Sequence, residues 1–150
     1  MTSKRLQRLV HLKRLVEQSR AAELRRKQQD LEDAQRAAQA TADALRTLDE
    51  TLDEDGGTAT PEGLLLVHGY QQHLARTLQQ QQEEAARTAD GVEEEQGRVR
   101  EAWQERRVME NVRDRAQEKE SEAELSSERK TSDSLALQAY RRLHGGGGKP

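Results

Sequence analysis

The chain has no cysteine, no phenylalanine and only 2% aromatic residues among its 150 residues. Without cysteine, disulfides and thiolate metal sites are excluded. No apolar run approaches the ~20 residues that a membrane-spanning helix needs. The basic start, MTSKRLQRLVHLKRL, lacks the apolar core and cleavage site of a secretory signal, so we expect a cytoplasmic protein without direct membrane insertion. With 32% hydrophobic and 35% charged residues, the chain has too little apolar mass for a compact core.

The clearest positive feature is a ladder of leucine and alanine with a seven-residue step. This step keeps a narrow apolar stripe facing a partner helix, and the abundance of helix formers argues against complete disorder, although partial disorder is expected. In the first half the ladder is Leu24, Leu31, Ala38, Leu45 and Leu52, with Ala34 and Leu48 beside it. In the second half it is Leu78, Ala85, Val92 and Val99, with a companion row of Ala102, Met109, Ala116 and Ala123.

These patterns predict an all-α protein in which two long helices form an antiparallel coiled-coil hairpin. We expect a single hairpin over 1–144: a helix over 3–53 with Ser3 as its N-cap, a loop over 54–60, and a longer helix over 61–143 that Thr60, Pro61 and Glu62 open. The second helix should overhang the first from about residue 112. The segment 126–134 has no apolar residue and should be weak or broken helix, and the glycine-rich 145–150 should form a disordered tail.

The apolar stripe is expected to shift phase near the start of the first helix. Leu9, Leu12 and Val16 step correctly among themselves, but Val16 and Leu24 are eight residues apart. The same segment is strongly basic, because residues 1–27 carry nine Lys/Arg and two Glu. Residues 28–64 carry two Arg against ten Asp/Glu. Such segregation of charge is expected to direct the two ends of a hairpin toward different partners.

No pattern of catalytic or ligand-binding residues occurs. The four histidines have no metal-ligand spacing, no phosphate-binding loop opens a helix, and no pocket would organise a catalytic triad. We therefore expect no enzyme activity, no cofactor and no metal. Nucleic acid is not an expected partner, because the basic segment lacks stacking aromatics.

Several segments, in this order, resemble a known family. They are the leucine-spaced basic start, Gly69-Tyr70-Gln71-Gln72-His73-Leu74, the stretch Ala102–Arg107 (AWQERR), and Arg129–Asp133 (RKTSD). The pattern is similar to the FliJ family of flagellar export proteins and to the central stalk proteins of injectisome type III secretion, and the sequence leaves the choice between the two versions open.

The resemblance implies a non-enzymatic stalk that inserts into a hexameric export ATPase, contacts an FlhA-like membrane export gate protein, handles export chaperones, and lies at the inner face of the membrane through these partners. The residues that the resemblance assigns to the ATPase ring are Arg5, Leu6, Arg8, Leu9, Leu12, Lys13 and Arg14. Those assigned to the export gate are Leu66, Tyr70, His73 and Leu74. Two other functions remain open: a holdase-type coiled-coil chaperone, and a peripheral membrane coiled coil that uses its basic amphipathic start.

Overall fold

The computed structural model describes residues 2–54 and 60–145. These residues form two α-helices, α1 (Ser3–Glu54) and α2 (Pro61–Gly145), and no strand occurs among them. The prediction of an all-helical chain with two helices is therefore confirmed. Glu54 and Gly145 are helical, so each helix extends one or two residues past its predicted end. The rest of the predicted loop, 55–59, and of the predicted tail, 146–150, lies outside the described residues.

α2 begins with the predicted cap. The backbone N–H of Gly63 donates a hydrogen bond of 3.1 Å to Thr60 Oγ1, and the N–H of Leu64 donates to the Thr60 carbonyl at 3.0 Å. Pro61 occupies the first helical position, where no N–H is needed, and Glu62 lies in the positive first turn. A Cβ at Gly63 would lie 3.0 Å from Thr60 Oγ1, so the glycine permits this close cap.

The start of α1 differs from the prediction that Ser3 is its N-cap. The N–H of Leu6 donates to the Thr2 carbonyl at 3.2 Å, so the chain turns into the helix one residue earlier. The N–H of Ser3 instead donates to Glu120 Oε1 at 2.8 Å, and Ser3 Oγ donates to Glu120 Oε2. A carboxylate of α2 thus caps α1, because an anion is favoured where backbone N–H groups are left unsatisfied.

The chain divides into two compact units. The terminal unit consists of Met1–Leu15 with Trp103–Pro150, and the central unit consists of Val16–Ala102. In the terminal unit, Arg113 donates to Gln7 at 2.8 Å and Lys13 donates to Glu105 at 2.9 Å. Since the α2 partner moves toward lower numbers as the α1 residue rises, the helices of this unit run antiparallel. That one hairpin spans 1–144 stays a prediction.

The helices of the central unit are antiparallel as well. Gln71 donates to Asp49 at 2.7 Å, and Lys27 donates to Glu95 at 3.4 Å. The predicted ladder lies between the helices: Val92 and Ala102 are buried. The other members of the ladder in this unit are half-buried, namely Leu24, Leu31, Ala34, Ala38, Leu45, Leu48, Leu52, Leu78, Ala85 and Val99. Seven-residue spacing therefore identified the contact face correctly.

The predicted phase shift near the start of α1 is wrong. Leu6 and Val10 are the buried residues of α1, whereas Leu12 and Val16 are about half exposed. Val10 lies fourteen residues before Leu24, so the seven-residue step continues without a slip. The apolar residues alone predict a slip because the seam positions between Val10 and Leu24 carry charged side chains.

The last part of α2 has no partner among the described residues. Residues 121–145 are all exposed, including Ala123, which was predicted to lie in the seam. The overhang begins after Glu120 and not at about 112, because Glu120 still contacts Ser3. The segment 126–134 differs from the expectation of broken helix: it has no glycine or proline to interrupt α2, and Thr131 Oγ1 donates to the Ser127 carbonyl at 2.9 Å. That this segment is less stable than its neighbours stays a prediction.

Candidate partner-binding surfaces

A glutamate occupies a seam position in the central unit. The Glu95 side chain is 0% exposed, and its Oε2 accepts hydrogen bonds from Arg98 at 3.2 Å and from Lys27 at 3.4 Å. Arg20 Nη1 lies 3.8 Å from the other carboxylate oxygen. Burial alone would raise the pKa of Glu95, but the hydrogen bonds from Lys27 and Arg98 outweigh it and lower the pKa below its ordinary value. The carboxylate is therefore a charged cross-link between the helices.

A second carboxylate does the same in the terminal unit. Glu110 Oε1 accepts hydrogen bonds from Arg14 at 3.0 Å and from Arg106 at 2.7 Å, and Arg107 approaches Oε2 at 3.5 Å. The hydrogen bonds from Arg14 and Arg106 lower the pKa of Glu110 to about 2. Glu110 thus stays ionised at any physiological pH and joins α1 to α2 through Arg14.

Sequence reasoning missed both carboxylates, although one signal could have found the first. Glu95 lies seven residues before Ala102, and Lys27, Arg20 and Lys13 lie seven, fourteen and twenty-one residues before Ala34. Extending both ladders by sevens, whatever the residue type, would have placed acidic and basic groups on facing seam positions. No comparable signal marks Glu110, which follows the seam residue Met109.

The structure separates the residues predicted to contact the ATPase ring into two groups. Leu6 is buried and Leu9 is half-buried. Lys13 is bonded to Glu105 and Arg14 to Glu110, so these two side chains hold the helices together. Arg5, Arg8 and Leu12 are exposed, and neither arginine forms an ion pair with a described residue.

Two of these three exposed residues, Arg8 and Leu12, line one hollow. A cavity of about 490 Å³ is lined by Gln7, Arg8, His11 and Leu12. We name the three exposed residues Arg5, Arg8 and Leu12 the basic terminal surface. Its combination of cationic and apolar side chains suits contact with an acidic, partly apolar protein surface.

The residues predicted to contact the export gate lie near the start of α2 in the central unit. Leu66 is 78% exposed and Tyr70 is 53% exposed, and His73 is also exposed. Steps of four and three residues place these three side chains on one face of the helix. Leu74 is half-buried and belongs partly to the seam. We name Leu66, Tyr70 and His73 the loop-proximal patch.

Two observations limit the chemistry of the described part of the chain. No three His, Asp or Glu side chains there cluster in a way that could hold a metal ion. Neither helix contains a stretch that is long and apolar enough to cross a membrane. The described residues thus belong to the class of two-helix proteins, with charged cross-links in the seam and exposed apolar and basic surfaces.

Comparison with known families identifies the chain within that class. The family model described as the flagellar FliJ protein matches residues 2–145, so the chain belongs to the FliJ family. Neither the curated proteins nor the solved structures gave a match. Family membership makes the chain a structural or coupling component of the flagellar export apparatus, with a role in flagellum biogenesis and protein export.

Proposed function

We propose that the protein is the non-enzymatic central stalk of the flagellar export apparatus and that its helices form an antiparallel coiled coil. The terminal unit inserts into the hexameric export ATPase, and the loop-proximal patch contacts an FlhA-like export gate protein. The protein works in the cytoplasm at the inner face of the membrane, where these partners hold it, and it also binds export chaperones.

The observation that carries this proposal is the exposed final stretch of α2. Residues 121–145 continue as helix beyond the last contact with α1, and every one of them is exposed. At 1.5 Å per residue, this stretch is about 37 Å long. A single helix is narrow enough to enter the central pore of a ring. Because most helical stability in proteins comes from packing, a helix without a partner is stabilised when it binds one.

Reversal of two charges on the basic terminal surface tests the ATPase contact. The double variant Arg5→Glu/Arg8→Glu should lose most stimulation of the export ATPase, and the loss should depend on ionic strength. Lys13 and Arg14 are left intact because they hold Glu105 and Glu110.

The matched control for this reversal is Arg36→Glu/Arg46→Glu on the same helix. These arginine side chains are 75% and 67% exposed and pair only with residues three or four positions away on α1. The control changes the net charge equally and should keep full stimulation. Equal loss in both double variants would show that the total charge, and not this surface, governs the contact.

Truncation of the loop-proximal patch tests the gate contact separately. Leu66→Ala/Tyr70→Ala should weaken binding to the export gate protein and leave ATPase stimulation unchanged. Leu65→Ala is the control, because Leu65 is 73% exposed but points to a neighbouring face of α2. If Leu66→Ala/Tyr70→Ala abolished ATPase stimulation while the arginine reversal did not, the two surfaces would have to exchange partners.

A second candidate function is favoured by the apolar side chains of the overhang. Leu135, Leu137 and Leu143 are 61%, 50% and 79% exposed, as in a chaperone that holds unfolded clients. Suppression of the aggregation of an unrelated unfolded protein, with no ATPase present, would support this function. A stalk should show no such activity.

A further inference from the structure

The terminal unit carries an apolar hollow with a basic rim. The hollow has a volume of about 420 Å³ and is lined by Leu6, Val112, Ala116, Arg115, Lys119 and Glu120. Three of the lining residues, Leu6, Val112 and Ala116, are apolar, and we name them the floor of the hollow. The floor belongs to both helices, so it exists only where α1 and α2 are packed together.

The rim of the hollow presents positive charge. Arg115 and Lys119 are exposed and form no ion pair with a described residue. Glu120, the acidic residue of the rim, accepts hydrogen bonds from Ser3 with both carboxylate oxygens. These hydrogen bonds lower the pKa of Glu120, so its charge is committed to the start of α1. Arg115 and Lys119 outweigh the single negative charge of Glu120, so the lining of the hollow has a net charge of +1.

The apolar and basic parts are arranged along one face of α2. Val108, Val112, Arg115 and Lys119 follow one another at steps of four, three and four residues. Val108 and Val112 are 59% and 41% exposed, so apolar surface continues beyond the hollow. From Val112 to Lys119 the helix rises about 10 Å, or two turns. A helical ligand along this face would meet apolar surface for about one turn and then basic surface for about one turn, along a face about three turns long.

We infer that this face binds an acidic amphipathic helix of another protein, packed along α2 as a third helix. Leucine-like side chains at steps of three and four would fill the hollow and cover Val108 and Val112. Acidic side chains about two turns away would pair with Arg115 and Lys119. A second copy of this chain fits less well, because the leucines of its acidic segment 28–54 are half-buried in its own seam. The inference does not depend on contact with the ATPase.

The test uses the full-length chain and a synthetic amphipathic peptide. The peptide carries leucine at steps of three and four and glutamate on the flanking positions, and a second peptide carries lysine in place of glutamate. Fluorescence anisotropy should show binding of the glutamate peptide and none of the lysine peptide. Arg115→Glu/Lys119→Glu should weaken binding by about tenfold or more, with a clear dependence on salt.

Two further variants separate the rim from the floor. Arg129→Glu/Lys130→Glu reverses an adjacent basic pair on the overhang and should leave peptide binding unchanged. Val112→Ser should weaken binding several-fold without unfolding the chain, since Val112 is 41% exposed. Circular dichroism of each variant checks that the helices are intact.

Three outcomes would overturn the inference. In the first, the lysine peptide binds as tightly as the glutamate peptide. In the second, the Arg115→Glu/Lys119→Glu variant binds the glutamate peptide as tightly as the unaltered chain does. In the third outcome, vesicles with anionic lipids sediment the chain in a manner that the reversal abolishes, while the glutamate peptide does not bind. That result would assign the face to a membrane surface. None of these readings involves the ATPase, so failure of the stalk proposal leaves this test valid.

Discussion

Two valines near the start of α1 provide a sharp test of the seam. Val10 is 0% exposed, whereas Val16 is 48% exposed, and both lie within the same helix. The same substitution, valine to alanine, can therefore be made at a position inside the seam and at one outside it. The comparison decides between the continuous seven-residue step seen in the structure and the phase shift that the apolar residues alone predict.

The expected difference follows from burial. Removing two methyl-sized groups from a fully buried position costs about 1.6 kcal/mol, at about 0.8 kcal/mol for each group, and any remaining cavity adds to this cost. Alanine regains about 0.5 kcal/mol through its higher helix propensity. Val10→Ala should therefore lower the free energy of unfolding by about 1–2 kcal/mol. At Val16 about half of the burial cost applies, so the two effects nearly cancel, leaving about 0.3 kcal/mol.

Urea unfolding followed by circular dichroism measures this difference. With a slope of about 2 kcal/mol per molar urea, Val10→Ala should lower the midpoint by about 0.5–1 M, and Val16→Ala should barely move it. The slope itself should stay the same in both variants. Equal destabilisation by both substitutions, or a larger effect at Val16, would refute the seam described for the start of α1.

Three other perturbations test separate features. Leu45→Asp places a charge in the central seam and should destabilise the chain by several kcal/mol, measured as a fall in melting temperature. Glu93→Gln on an exposed face should change the melting temperature little. Because the pKa of Glu110 is lowered to about 2, its contribution to stability is complete above the unfolded value near 4.5 and is lost as pH falls toward 2. Acid unfolding should therefore be less steep over this range in Glu110→Gln, and an unchanged profile would argue against the contacts with Arg14 and Arg106. Thr60→Ala removes the side-chain cap of α2 and should cost about 1 kcal/mol, and it should speed hydrogen exchange at Gly63, which an unaffected exchange rate would contradict.

The central seam was predictable because its signal is local. The spacing of Leu24, Leu31 and Leu45 predicts a contact face, whatever residues that face contacts. The cap at Thr60 was predictable for the same reason, since the hydroxyl and the N–H that it accepts from are three residues apart.

The charged cross-links were not predictable in this way. Burying a carboxylate is unfavourable unless it is paired, so a sequence pattern does not predict it without its partners. The partners of Glu95 and Glu110 include Lys27 and Arg14, which are 68 and 96 residues away. The same holds for Glu120, whose sequence neighbours give no indication that it caps the first turn of α1. For the candidate surfaces, the resemblance named Leu66 and Tyr70, which are exposed in the structure. It could not separate Arg5 and Arg8 from the cross-linking Lys13 and Arg14.

During synthesis on the ribosome, the first turn of α1 is completed before Glu120, the residue that caps it, has been made. Ser3 and Glu120 are 117 residues apart, so the first turn of α1 is made long before its cap. At about 5–20 residues per second, the interval is roughly 6–23 s, far longer than helix formation takes. Throughout that time the first turn has unsatisfied N–H groups, and Leu6 lacks the α2 residues that line its hollow. The nascent chain therefore exposes the first turn of α1 to binding factors until α2 has emerged as far as Glu120.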